Sequence, residues 1–244
     1  MRRMFLFLLF AGSVGAAGCI SVGHNGIGPP PANYTQNDGT ISDPYAGVTL
    51  PSSPAPPCKT QPAGSNITLS PGRYCGLNAN KINITLTAGI YILDSAGSSN
   101  TTLVVKNATL TDNGAGVTLV FTCSTCTKSS QWPSTMMAVQ ANGVVSLTPA
   151  TSGTTQGFVM MGDPAMPLGT VFDTHSNPNV TLTGTVYVPN GAFSWGGTPT
   201  TGSGACLQYI VNTFTLQGNS GLSGSGCSLS NGQKPIGSIV TLVD

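Results

Sequence analysis

The side chains able to carry chemistry are few. The chain of 244 residues has two histidines and seven acidic residues, all of them aspartate. His175 lies in Phe172-Asp-Thr-His-Ser-Asn-Pro-Asn, two residues after Asp173 and directly before Ser176. Serine, histidine and aspartate are the residue types of a hydrolytic triad. Residues this close on one strand cannot take triad geometry, and no Gly-x-Ser-x-Gly elbow precedes a helix. His175 therefore reads as a polar loop residue, and His24 lies in a linker. Sugar hydrolysis needs two carboxylates flanking the bond. The candidates are Asp94, Asp112, Asp163 and Asp173, and none forms an Asp-Asp or Asp-x-Asp pair. A calcium-dependent lyase would need several acidic ligands converging from neighbouring segments. Asp94 in Leu-Asp-Ser-Ala-Gly and Asp112 in Thr-Asp-Asn-Gly-Ala-Gly read as turn caps. No catalytic residue and no cofactor or metal ligand is assigned.

Cysteine offers the remaining chemistry. Cys123-Ser-Thr-Cys126 is one C-x-x-C pair, whereas structural zinc needs four ligands and a redox motif needs a helix start. A small local disulfide is expected. The chain holds seven cysteines. With Cys19 set apart, the other six (Cys58, Cys75, Cys123, Cys126, Cys206 and Cys227) suit an exported disulfide framework. Pairing of neighbours is expected: Cys58–Cys75, Cys123–Cys126 and Cys206–Cys227.

Only 6% of residues are charged, against about 25% in an ordinary domain. The net charge is +1 and the few cations are scattered, so nucleic acid is excluded as a partner. Residues 1–19 read as a signal peptide or lipoprotein leader: Arg2 and Arg3, an apolar stretch from Met4 to Phe10, then small residues. Ala16-Ala17-Gly18-Cys19 resembles a lipobox, which would make Cys19 the lipidation site. Ordinary cleavage near Ala17 and an uncleaved anchor are the alternatives. Residues 20–57 are rich in proline and glycine and read as a semi-rigid linker, or, in the second half, as a leader packed on the first coil.

The elements that must position these residues are strands. Apolar or alternating runs recur from Ile82 to Val243, punctuated by Gly and Asn turns, with no sustained helical periodicity. Asn66-Ile-Thr-Leu, a Pro-Gly turn and Tyr74 are nearly repeated 17 residues later as Asn83-Ile-Thr-Leu, an Ala-Gly turn and Tyr91. Stacking would set Asn66 over Asn83 as an amide ladder, Thr68 over Thr85, and Tyr74 over Tyr91 as an aromatic stack. Asn107-Ala-Thr-Leu and Asn179-Val-Thr-Leu echo the motif. The expected fold is all-β: a single right-handed parallel β-helix over residues 58–244, with a Greek-key β-sandwich as the alternative. Six N-x-S/T sequons (Asn33, Asn66, Asn83, Asn100, Asn107, Asn179) read as strand and turn residues in a bacterial protein.

Several motifs occur in a set order: DPYAGVTLPSSPAPPC (Asp43 to Cys58), LSPGRYCGLN (Leu69 to Asn78), LTAGIYIL (Leu86 to Leu93), LTDNGAGVTLVF (Leu110 to Phe121), LTPATSGTTQGFVMMGDP (Leu147 to Pro164), LTGTVYVPNGAFSWGG (Leu182 to Gly197) and CLQYIVNTFTLQGNSGL (Cys206 to Leu222). This order resembles the C-terminal β-rich region of TadG-like proteins of bacterial Tad (Flp) pilus-assembly systems. Such proteins usually carry a membrane helix and a large region before this part, where this chain has a short leader. The resemblance implies a non-enzymatic envelope or surface protein linked to pilus assembly or adhesion. Its partners would be envelope or pilus-assembly proteins, its membrane contact would run only through the N-terminus, and it would be exported to the periplasm, outer membrane or cell surface. The alternative is a secreted protein that binds or cleaves surface carbohydrate, with Trp132, Tyr187 or Trp195 as aromatic platforms.

Overall fold

The computed structural model describes residues 6–9, 45, 47–52, 57–96, 98, 100–196 and 207–217. Every regular element among them is a strand apart from one 3-10 turn at Ser129–Gln131. Leu6–Leu9 forms β1. Then the chain climbs in tiers of up to three short strands. The first tier is β2 (Asn66–Leu69), β3 (Gly72–Tyr74) and β4 (Leu77–Asn80). The second is β5 (Asn83–Leu86), β6 (Gly89–Asp94) and β7 (Leu103–Lys106). The third is β8 (Thr109–Thr111), β9 (Val117–Thr122) and β10 (Thr135–Gln140). The fourth is β11 (Val144–Leu147), β12 (Phe158–Gly162) and β13 (Thr170–His175). Last come β14 (Asn179–Leu182), β15 (Gly184–Gly196) and β16 (Leu207–Gln217).

These strands form two sheets. The smaller has the order β14-β11-β8-β5-β2 and the larger has eleven strands. Every pairing is parallel except that of β1 with β16. The short apolar runs suit this arrangement, since alternate side chains enter a common interior. Ile67 and Leu69, Ile84 and Leu86, Leu110, Val145 and Leu147, and Val180 and Leu182 are all buried. Left-handed residues turn the chain into four of the five strands of the small sheet: Lys81, Asn107, Asn142 and Asn177 have φ of 58°, 47°, 60° and 59°. Asparagine tolerates this region better than most residues.

The expected single right-handed parallel β-helix over residues 58–244 is corrected by the topology. The strands do not keep separate faces of a uniform coil. The 13-residue β15 pairs with β12 through Thr185–Tyr187 and with β13 through Gly191–Trp195, which fuses two faces into one sheet that turns back on itself. A solenoid therefore describes the molecule only loosely. The β-sandwich alternative fails because its strands would be antiparallel. The sequence signal that misled is Val188-Pro-Asn-Gly191, which reads as a turn. It lies inside β15, where the register with β16 shifts between Val188 and Ala192. A bulge at that point accommodates Pro189, which has no N–H to give a ladder.

The near-repeat builds two registers. Asn66 pairs with Asn83 and Thr68 with Thr85 in the small sheet. In the larger sheet the register slips by two, so Tyr91 lies opposite Gly72 and Tyr74 opposite Leu93. The tyrosine rings still stack, with centroids 6.1 Å apart. Each hydroxyl donates to the carbonyl four residues before it, Tyr74 to Ser70 and Tyr91 to Thr87, both at 2.8 Å. Gly184 marks a tight corner, with φ +94°. A Cβ there would lie 2.6 Å from the Gly157 carbonyl oxygen, so only glycine fits.

A second apolar cluster lies outside the main core. Ile92, Val120, Phe158, Met161, Tyr187 and Ile210 are covered by Tyr45, Val48 and Leu50. The Tyr45 hydroxyl donates to Gln208 at 2.9 Å, and its ring meets Phe158 at 5.0 Å. The end of the expected linker is thus packed along the larger sheet.

Candidate functional site

The corner after β6 gathers the strongest electrostatics. Arg73 on β3 donates to Asp94 Oδ2 from Nε at 2.9 Å and from Nη2 at 2.7 Å. The same Nη2 donates to the Ser124 hydroxyl at 2.6 Å. Asp94 Oδ1 accepts the backbone N–H groups of Ala96 at 2.7 Å and Ser124 at 3.0 Å. Both charged side chains are buried. Burial pushes the Asp94 carboxyl up, but hydrogen bonds from Ser124, Ala96 and Arg73 outweigh it, leaving the carboxyl below its ordinary value. Three tiers meet at this carboxylate, and Cys123–Cys126 closes the Ser124 turn beside it.

The other acids are held the same way, each by its own partners. Asp112 Oδ2 accepts the Thr148 hydroxyl at 2.6 Å and the Gly116 N–H at 2.9 Å. Asp163 accepts the Thr122 hydroxyl at 2.6 Å and the Ala165 N–H at 2.8 Å. The turn-cap reading of Asp94 and Asp112 therefore describes part of their role, and both also tie one tier to the next. Asp173 contacts only His175 Nδ1 among the described partners, on a partly exposed surface. Ser176, at φ 63°, belongs to the turn that follows.

Cys58–Cys75 and Cys123–Cys126 are disulfides, matching two of the three expected pairs. Cys19, Cys206 and Cys227 lie outside the described residues. No group of three His, Cys, Asp or Glu able to hold a metal occurs among the described residues.

The proposed aromatic platforms are corrected. Trp132 and Tyr187 are each 8% exposed, and Trp195 is 0% exposed. Its ring lies among Phe193, Tyr209 and Phe214, with centroids 5.7, 5.8 and 6.4 Å away. Large aromatics lie inside because the tiers need volume, and no isolated tryptophan declares which side of a strand it takes. An open concavity of about 550 Å³ runs past Pro51, Pro71, Gly89, Ile90, Ala150 and Thr154. Its lining holds no charged or aromatic side chain.

The outer face of the small sheet is ordered instead. One column across its strands is Thr68, Thr85, Thr111, Ser146 and Thr181; the other is Asn66, Asn83, Thr109, Val144 and Asn179. All ten positions are exposed or half-buried, while the residues between them are buried. The Asn83 side-chain amide donates to Asn66 Oδ1 at 2.9 Å, and Asn83 Oδ1 accepts the Thr109 N–H at 2.9 Å. The expected amide ladder is present. Asn179 takes its place in the Asn column, whereas the Asn107 echo lies two residues out, since Thr109 rather than Asn107 follows Asn83. Reading the echoes by motif alone hid the continuous hydroxyl column.

No protein-family model, no curated protein and no solved structure matches this chain.

Proposed function

We propose that the chain is a non-enzymatic bacterial cell-envelope or surface protein, associated with Tad (Flp) pilus assembly or surface adhesion, that works by contact. What carries the reading is the use of the acids. Asp94, Asp112 and Asp163 each hold hydrogen bonds within and between tiers, so their carboxylates serve the scaffold. Cleavage of a sugar polymer would instead need two carboxylates facing one bond. The two disulfides suggest an oxidising, extracytoplasmic environment. The ordered motifs that resemble TadG-like proteins support the pilus link, and the reading of residues 1–19 as a leader supports export. The test is deletion of the gene, with pili counted and attachment to surfaces measured. Loss of either supports the role; unchanged pili and attachment remove it.

A further inference from the structure

We propose that the outer face of the small sheet binds ice, an inference that rests on reading the chain as a protein that works by contact. The face is a grid. Its rows are one strand apart, about 4.8 Å, and its two columns are two residues apart, about 6.6 Å. All four ladders that build it run without a register shift. Three ladders of the larger sheet carry shifts. The grid is therefore the longest unbroken run of unshifted ladders among the described residues.

Its chemistry matches a solid made of water. Five positions form an unbroken column of hydroxyls, four threonines and Ser146. Threonine is β-branched, so its hydroxyl and methyl take few positions and lose little freedom on binding. The Thr111 hydroxyl exchanges hydrogen bonds with Asn113, and the neighbouring Asn83 amide is held by Asn66, so the face is fixed in place on both columns around Thr85. No position in the grid is charged, so a nucleic acid or a charged protein would find no complementary group. No position is aromatic, which leaves out the stacking platform a sugar chain would use; Trp132, Tyr187 and Trp195 are buried elsewhere. Ice offers oxygen atoms at fixed repeats and no charge. Methyl groups of the threonines and Val144 would sit between the anchored waters.

The test is ice-affinity partitioning of the purified full chain. Wild type is expected in the ice fraction. Thr85→Tyr puts a bulky ring in the middle of the grid and is expected to lose most of that enrichment. Leu168→Tyr lies on the exposed loop between β12 and β13 and is expected to keep it. If Thr85→Tyr fails to unfold cooperatively like wild type, Thr68→Tyr on the edge strand β2 replaces it. Exclusion of wild type from ice, or enrichment of the face variant equal to that of wild type, overturns the proposal. So does binding to chitin or cellulose, or a dimer in ultracentrifugation, that Thr85→Tyr abolishes while ice excludes the chain. Those last outcomes leave the contact role standing, because pili and cell attachment are measured separately.

Discussion

Arg73 grips Asp94 across 21 residues of sequence, with Nη2 2.7 Å from Oδ2 and both side chains buried. The pair joins the first tier to the second, and Ser124 ties both to the third. Removing the cation leaves a buried carboxylate without its charge partner. Arg73→Ala is expected to cost about 3–5 kcal/mol in urea unfolding. Arg73→Lys should recover little of that, since one ammonium cannot present the guanidinium fork to Asp94 and Ser124 together.

The same carboxylate sets the acid limb of stability. Its folded value lies below the ordinary 3.8, so its contribution is complete above that pH and is lost as pH falls through the lower, folded value. Unfolding midpoints measured across acid pH should drop in that window for wild type. Asp94→Asn should start lower and show a flatter acid limb.

Cys58–Cys75 closes a loop with a sequence separation of 17 at the start of the tiers. Loops of this size are worth about 3 kcal/mol in the chain-entropy model. The Cys58→Ala/Cys75→Ala double variant should lose about that much in denaturant unfolding, and wild type in reductant should approach it.

Tyr209 behaves in the opposite sense. Its hydroxyl is buried in the aromatic cluster with no hydrogen-bond partner among the described residues. Burial raises its pKa well above 10.0. A raised tyrosine contributes fully below its unfolded value and loses that contribution as pH climbs above it. Tyr209→Phe removes an unsatisfied group, so its thermal midpoint at neutral pH should equal or exceed that of wild type. The variant should also hold its midpoint further into alkali.

What the sequence made legible was local. Two copies of Asn-Ile-Thr-Leu 17 residues apart announced parallel stacking, and Asn66 and Asn83 stand in that register. Cys58 and Cys75 announced a staple. Long-range relationships were silent. Arg73 meets Ser124 across 51 residues, Thr122 meets Asp163 across 41, and Tyr45 reaches Gln208 across 163. No spacing rule joins residues so far apart. The merged sheet was hidden for a different reason: Pro189-Asn190-Gly191 has turn chemistry, yet the neighbouring strands hold it as a bulge inside β15. Trp195 lies inside because its strand continues through that bulge and stays in the core.

The proposed contact role requires the small-sheet face to meet the outside of the cell. The most direct measurement labels a Thr85→Cys variant on intact cells with a membrane-impermeant maleimide, with the unsubstituted protein as background. Labelling of intact cells above that background is the predicted result. Labelling that appears only after the cells are broken open would contradict the claim.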